Sequence, residues 1–256
     1  MGFFTEGRRR KEILRAPFPD AWRTILTNNV VHWRYLDGNE HGQAEETVKA
    51  IVALKTWSPA QGFDITDEVR VTIAGQAALL VLGFPGYEYP NVRTIVVHAT
   101  TIRLPGQRYS VVEGTQSNAD LALFGQSDED GTVYLVWDEL LANARHPERG
   151  HNLVYHEFAH TLDRANGTVD GIPPMEPEAR DRWTEVCNRE YDRLQHGVDD
   201  PLLRSYAGVN QAEFFAVVTE VFFDQPVAMR EQKPDLYDVL RDFYGQDPAS
   251  RVIPPS

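Results

Sequence analysis

The sequence predicts an α+β protein with a helical N-terminal lobe, a small mixed or antiparallel sheet and a helical C-terminal lobe. Three observations predict this order. Apolar residues recur at helical spacing between residues 20 and 82, β-branched segments fall between 94 and 137, and helical spacing returns from 153 to 244. A chain of 256 residues can bury one substantial core. We therefore expect one domain over residues 1–256, with a helical region over about residues 1–60.

The first part of the chain predicts three helices. Apolar residues recur at three- and four-residue spacing from Asp20, and again over residues 45–57. The glycine-containing segment 38–42 is expected to be a loop. Thr66 can cap a third helix that runs to about residue 82, because its side-chain oxygen can accept a hydrogen bond from a free backbone amide.

The middle of the chain predicts the sheet. Residues 94–98 and 132–137 are rich in β-branched and aromatic side chains, which favour strands. Residues 109–112 are a shorter candidate strand. The segment 114–131 is rich in Gly, Ser, Asn and Asp, and predicts loops around a short apolar stretch at 121–124.

Helical spacing returns in the last part of the chain, where four helices are predicted at 153–164, 180–195, 212–223 and 234–244. Residues 166–177 hold two glycines and three prolines, so they predict a loop between the first two of these helices.

Composition and charge exclude several classes of protein. The formal net charge is -13, and such a surface would repel nucleic acid, so we expect no direct binding to it. Cys187 is the one cysteine, which excludes an internal disulfide framework and a cysteine-rich zinc site. No apolar run is long enough for a membrane span, and the basic N-terminal segment lacks the apolar core of a secretory signal. We expect a cytoplasmic protein that does not bind membranes.

One motif carries clear chemistry. Residues His156-Glu157-Phe158-Ala159-His160 match H-E-x-x-H in full. Residues four apart lie on one helix face, about 6 Å apart along the axis, so both imidazoles can reach one tetrahedral zinc ion. Glu157 would lie beside the metal, where it can accept a proton from a zinc-bound water.

The alternative is a surface helix that carries two solvated histidines. Neighbouring apolar residues argue against it, because Leu153, Val154, Phe158 and Leu162 make much of the helix apolar and therefore buried. Buried polar groups without partners are costly, and a metal ion would supply the partner. The sequence therefore predicts one zinc ion per chain.

A catalytic zinc ion needs a third protein ligand. Asp163 shares a helix face with His156 and His160 but lies a further turn away, so we expect it to orient a ligand histidine. Glu213 and Glu220 share one face of a strongly apolar helix, and periodicity does not choose between them. The alternative for either glutamate is a salt bridge to an arginine at the helix rim.

These residues resemble a known family. The segment His156 to Asp163 (H-E-F-A-H-T-L-D), the pair Tyr206-Ala207, and the segments 212–216 and 220–223 are similar to the MtfA (Mlc titration factor A) family of bacterial zinc peptidases. The similarity runs from about residue 60 to 245. The family resembles the catalytic domain of anthrax lethal factor and belongs with the gluzincins. The resemblance implies a zincin-like catalytic core over about residues 61–250.

The resemblance also implies roles for individual residues. His156, His160 and Glu213 would be the zinc ligands, and Glu157 the general base. Tyr206 would be a phenol near the metal whose hydroxyl stabilises the developing oxyanion. Glu220 becomes a structural residue or one that supports a ligand.

The implied function is a zinc metallopeptidase that hydrolyses peptide bonds in peptide or protein substrates, with aminopeptidase activity as the suggested form. The alternative is a regulatory protein that binds and sequesters a transcription repressor, with weak or conditional peptidase activity, since the family is associated with the glucose-responsive repressor Mlc. A third interpretation is a structural zinc site with four protein ligands and no water.

Overall fold

The computed structural model describes residues 11–13, 15–60, 62–100, 103–104, 107–108 and 131–252. The predicted strand at 109–112 and the predicted loops at 114–130 lie outside these residues. The chain divides into two compact units, one of residues 1–100 with 119–145, the other of residues 101–118 with 146–256. A single domain with a boundary near residue 60 stays a prediction.

Three helices form most of the first unit: α1 (Asp20–Asn29), α2 (Gly38–Leu54) and α3 (Asp67–Leu80). Helix α3 packs against both α1 and α2. Thr66 caps α3 as predicted, since its side chain accepts from Val69 N. The predicted loop at 38–42 is instead the first turn of α2. Asp37 and Glu40 form a capping box there, which satisfies the free amides of the helix end.

The strands, in chain order, are β1 (Thr56–Pro59), β2 (Thr94–His98), β3 (Arg103–Leu104), β4 (Gln107–Arg108) and β5 (Thr132–Val136). Strands β1, β2 and β5 form one sheet in the order β1-β2-β5, with Thr94 opposite both Thr56 and Thr132. Helix α4 (Trp137–Arg145) follows β5 directly. The predicted strand at 94–98 is therefore confirmed, and the one predicted at 132–137 is confirmed over residues 132–136, since Trp137 begins α4.

The α+β class is confirmed, but the prediction of a mixed or antiparallel sheet is wrong for the three-stranded sheet. Both of its strand pairs are parallel. The physical reason is the connection, because α3 lies between β1 and β2 in the chain and a helical crossover returns the chain in the same direction. In the described part of the chain, antiparallel pairing occurs between the two-residue strands β3 and β4.

The second unit is helical and contains α5 (Leu153–Asp163), α6 (Pro177–Gln195), α7 (Gln211–Asp224), α8 (Pro226–Gln232), α9 (Pro234–Tyr244) and α10 (Pro248–Arg251). The four predicted helices correspond to α5, α6, α7 and α9. The short helices α8 and α10 were not predicted. Each begins at a proline, which suits the first helical position because the amide there needs no partner.

Helix α7 lies at the centre of this unit and packs against α5. Its side chains are buried around almost the whole circumference, which explains its apolar sequence. The rings of Phe222, Phe223 and Tyr244 contact one another within its core. Glu220 is fully buried on α7, so its carboxylate requires polar partners. No helix in the described ranges is long and apolar enough to cross a membrane.

Candidate metal centre

Two capped helices position the candidate ligands within the second unit. Asn152 begins α5, and its side chain accepts from Tyr155 N at 3.1 Å. This places His156 in the first turns of the helix and His160 one turn later. Asn210 begins α7 in the same way and accepts from Glu213 N at 2.9 Å. Glu213 therefore lies in the first turn of the apolar helix that packs against α5.

The three candidate ligand atoms lie close together. Nε2 of His156 is 3.3 Å from Nε2 of His160 and 3.0 Å from Oε2 of Glu213, and the third separation is 3.6 Å. Two ligands at about 2.0–2.1 Å from a tetrahedral zinc ion lie about 3.3–3.4 Å apart. The three separations surround that value, so these residues fit a zinc ion.

The hydrogen bonding of these atoms supports the same fit. Oε2 of Glu213 is buried and receives no hydrogen bond of acceptable geometry from the described residues, although His156 Nε2 is 3.0 Å away. The two imidazole nitrogens are within hydrogen-bond distance of each other, and the carboxylate oxygen beside them has no donor. A shared cation would supply the missing partner.

The local charges favour a cation at the same point. Burial lowers the pKa of His156, but the carboxylates of Glu213 and Glu220 raise it to about 10. Burial raises the pKa of Glu213, but His156 and His160 together lower it below its usual range. The negative potential that would hold a proton on His156 would also attract a metal ion.

The other side of the His156 ring contacts Glu220. Nδ1 lies 2.7 Å from Oε1 of this buried carboxylate, whose pKa is lowered to about 2 because His156 and Arg204 outweigh the effect of burial. An ionised carboxylate only accepts, so Nδ1 carries the hydrogen. Helical periodicity did not choose between Glu213 and Glu220 as the ligand. In the structure both glutamates contact His156, Glu213 at Nε2 and Glu220 at Nδ1.

The predicted role of Asp163, which is to orient a ligand histidine, stays a prediction, and the structure shows a contact of Asp163 with the 166–177 loop. Its Oδ2 accepts from Gly171 N at 2.8 Å, and no residue in the described ranges forms a hydrogen bond with Nδ1 of His160. Gly171 has a φ of 76°, and a Cβ there would lie 2.4 Å from the backbone oxygen of Gln211. Trp183 Nε1 donates to the Gly171 oxygen at 3.0 Å. Asp163 thus fixes the 166–177 loop against the start of α7, because the turn at Gly171 brings an amide to its carboxylate.

Tyr206 lies in the 3₁₀ turn Ser205–Gly208, which comes just before α7. Its ring centre is 6.0 Å from that of His156. Burial and the carboxylates of Glu213 and Glu157 raise the pKa of the Tyr206 phenol, so the hydroxyl keeps its proton and can donate. Glu157 directly follows the candidate ligand His156 in α5, and its side chain is half-buried.

Sequence inspection missed two residues of this cluster, Asn152 and Arg204. Asn152 N donates to Glu220 Oε2 at 2.7 Å, and both terminal nitrogens of Arg204 donate to the same carboxylate. A capping residue before the helix of His156 is a visible signal. The sequence also showed that Glu220, in an apolar helix, needs a cation as partner. Nothing in the spacing of residues along the sequence selects Arg204 as that cation.

Two histidines one helical turn apart, here one buried and one half-buried, together with a glutamate from a second helix, are the ligand set of many metallopeptidases. The chain belongs to the family described as glucose-regulated metallo-peptidase M90, whose model matches residues 4–245. The match includes residues 4–60, where the resemblance seen in the sequence did not reach.

Individual relatives agree with this assignment. The chain is 30% identical to the uncharacterized protein slr2042 of Synechocystis sp. over 94% of this chain and 89% of that protein. It is 28% identical to proteins named Mlc titration factor A from Pectobacterium atrosepticum and Serratia proteamaculans. Those matches cover 85% of this chain and 83% and 84% of the two relatives.

Proposed function

We propose that this chain is a zinc-dependent peptidase whose zinc ion is held by His156, His160 and Glu213. The observation that carries the proposal is the convergence of their three ligand atoms at separations of 3.0–3.6 Å. Two imidazoles with one carboxylate suit zinc, whereas magnesium and calcium prefer oxygen ligands alone. Three candidate ligands in the described part of the chain, rather than four, favour a catalytic site over a structural one.

A zinc ion bound there would polarise the scissile carbonyl and make a water molecule acidic enough to attack it at neutral pH. The carboxylate of Glu157 takes the proton from the attacking water and delivers it to the departing amine nitrogen. The hydroxyl of Tyr206 donates a hydrogen bond to the oxygen that becomes negative during attack, which lowers the barrier to the tetrahedral intermediate.

The test is Glu157→Gln, which removes the basic oxygen and changes the side-chain volume little. We expect hydrolysis to fall at least about a hundredfold, because general base catalysis contributes about 10²–10⁴-fold. Zinc content and thermal stability should stay as in the unchanged protein, since Glu157 is not a ligand in this account. Glu185→Gln, at an exposed position of α6, is the matched control. Hydrolysis that survives Glu157→Gln would contradict the assigned role.

We propose aminopeptidase activity as the form of hydrolysis, following the resemblance. Two substrates separate this form from its alternative. An amino-acid p-nitroanilide has a free amine next to the scissile bond, and an internally quenched peptide with a blocked N-terminus has none. Preferential cleavage of the p-nitroanilide supports aminopeptidase activity, and preferential cleavage of the blocked peptide supports an endopeptidase.

The name of the relatives, Mlc titration factor A, favours a second candidate function. In it the chain binds and sequesters a transcription repressor, and peptidase activity is weak or conditional. Glu157→Gln separates the two functions. If the variant no longer hydrolyses peptides but still removes a purified Mlc-type repressor from its operator, binding is the function. If the effect on the repressor disappears with hydrolysis, peptidase activity is required.

A further inference from the structure

Arg204 connects two parts of the proposed active site. We propose that it is a positioning residue that holds both the ligand histidine His156, through Glu220, and the phenol of Tyr206. This role rests on the proposed function above. It extends that function, because neither the sequence motifs nor the names of the relatives assign a positioning role to Arg204.

The first contact is a two-bond fork between Arg204 and Glu220. Nη1 donates to Oε2 at 2.9 Å and Nη2 donates to Oε1 at 2.6 Å. Each carboxylate oxygen takes one further donor, since Oε1 is 2.7 Å from His156 Nδ1 and Oε2 accepts from Asn152 N at 2.7 Å. The fork therefore fixes the plane of the carboxylate, and that plane fixes the His156 ring.

The fork also brings a positive charge to Glu220. Glu220 is fully buried, and Arg204 is the one lysine or arginine of the described residues within ion-pair distance of it. Arg204 therefore supplies the positive charge that this buried carboxylate needs, and its removal would leave the carboxylate without that charge and without two of its hydrogen bonds.

The second contact of Arg204 is with Tyr206. The guanidinium carbon of Arg204 lies 5.9 Å from the centre of the Tyr206 ring, within the range of a cation–π contact. The backbone oxygen of Arg204 also accepts from Ala207 N at 3.0 Å, which begins the 3₁₀ turn that carries Tyr206. One residue therefore ties this turn to the same carboxylate that orients His156.

The test uses Arg204→Met, which keeps the length of the side chain and removes its charge and its fork. Zinc affinity is measured by competition with a chelating dye. Turnover of the fully loaded enzyme is measured with the p-nitroanilide and the blocked peptide. We expect zinc affinity to fall about tenfold to a hundredfold, the usual cost of losing a group that supports a ligand. We also expect kcat to fall more than KM rises, because Tyr206 acts on the reaction rather than on binding.

Two further variants separate positioning from simple loss of stability. In a Tyr206→Phe background, Arg204→Met should lower kcat much less than it does alone, but should lower zinc affinity by the same factor. Arg204→Lys restores the charge without the fork, and should recover zinc affinity more fully than kcat. If Arg204→Met fails to fold, Arg204→Lys takes its place as the test of the role of Arg204. Arg182→Met, which removes an exposed pairing to Asp242, is the matched control.

The outcomes are distinct. If the unchanged protein binds zinc and hydrolyses peptide, and Arg204→Met or Arg204→Lys alters neither quantity by more than twofold, the role of Arg204 is overturned while the proposed function stands. Equal loss of kcat with and without the Tyr206 hydroxyl overturns the link to Tyr206. If the unchanged protein binds no zinc, the proposed function itself fails, and this is known before any variant is made.

Discussion

Glu220→Gln is the substitution that the structure constrains most closely. The carboxylate is fully buried and takes four donors: His156 Nδ1, Asn152 N and the two terminal nitrogens of Arg204. A glutamine at this position keeps one acceptor oxygen but presents an amide NH₂ group to the donors on the other side. Two of the four hydrogen bonds are therefore lost, and the partly exposed charge of Arg204 loses its partner.

The magnitude follows from these contacts. A hydrogen bond to a charged group contributes about 1.5–3 kcal/mol, so two of them amount to about 3–6 kcal/mol. Breaking one partner of a buried ion pair costs about the same. At about 2–4 °C per kcal/mol for a chain of this size, the thermal midpoint should fall by roughly 10 °C. Zinc affinity should fall about tenfold to a hundredfold, because His156 loses its support.

The assay is urea unfolding of the metal-free protein, followed by zinc titration of the folded protein. Using the metal-free form separates the loss of stability from the loss of metal. Glu185→Gln, on the exposed face of α6, makes the same chemical change without buried contacts and should leave both quantities unaltered. A loss below about 1 kcal/mol for Glu220→Gln, with unaltered zinc affinity, would refute this reasoning, because an exposed substitution costs no more than that.

Two further substitutions test other parts of the second unit. Gly171→Ala should destabilise the protein more than Gly197→Ala in thermal unfolding. Both glycines have a positive φ, but only at Gly171 would a Cβ lie 2.4 Å from a backbone oxygen. Equal losses of stability would count against this close approach. Lys233→Met removes the buried amine 2.8 Å from Glu190 and 2.6 Å from Asp200, and should cost about 3–5 kcal/mol at pH 7. Burial raises the pKa of Asp200, but the hydrogen bond from Lys233 lowers it below 3.8, so this stabilisation is present above pH 3.8 and is lost at lower pH. Urea unfolding at pH 7 and pH 3 should therefore show the deficit of Lys233→Met shrinking as the pH falls, and a constant deficit would argue against the charge pairing.

The helices could be predicted wherever a local pattern determines them. The predicted bounds of the helix at 234–244 agree with those of α9, because a wide apolar stripe and two flanking signals, Pro234 and Gly245, define it. The start of α2 was missed, although the capping box of Asp37 and Glu40 is visible in the sequence. The glycines at 38 and 42 outweighed that signal in the prediction.

Strand β1 and the direction of the sheet could not be predicted in this way. Thr56–Pro59 is four residues long, and its strand conformation depends on pairing with β2, nearly forty residues further along the chain. A local pattern carries no information about such a partner. The predicted antiparallel or mixed sheet failed for the same reason.

In the candidate site, too, features set by local sequence could be predicted and features set by tertiary contacts could not. His156 and His160 are separated by one helical turn, so their convergence follows from helix geometry alone. Glu213 comes from another helix, and the choice of this residue over Glu220 came from the resemblance, not from spacing. Arg204 and the turn at Gly171 depend on tertiary contacts, so neither the support of His156 nor the position of Asp163 was predictable from the sequence.

The most direct test of the central claim is an anomalous difference map, collected at the zinc edge from a crystal of the zinc-loaded protein. We expect one peak per chain, at about 2.0–2.2 Å from Nε2 of His156, Nε2 of His160 and a carboxylate oxygen of Glu213. A zinc-loaded crystal with no peak among these three residues, or with its peak elsewhere, would contradict the account.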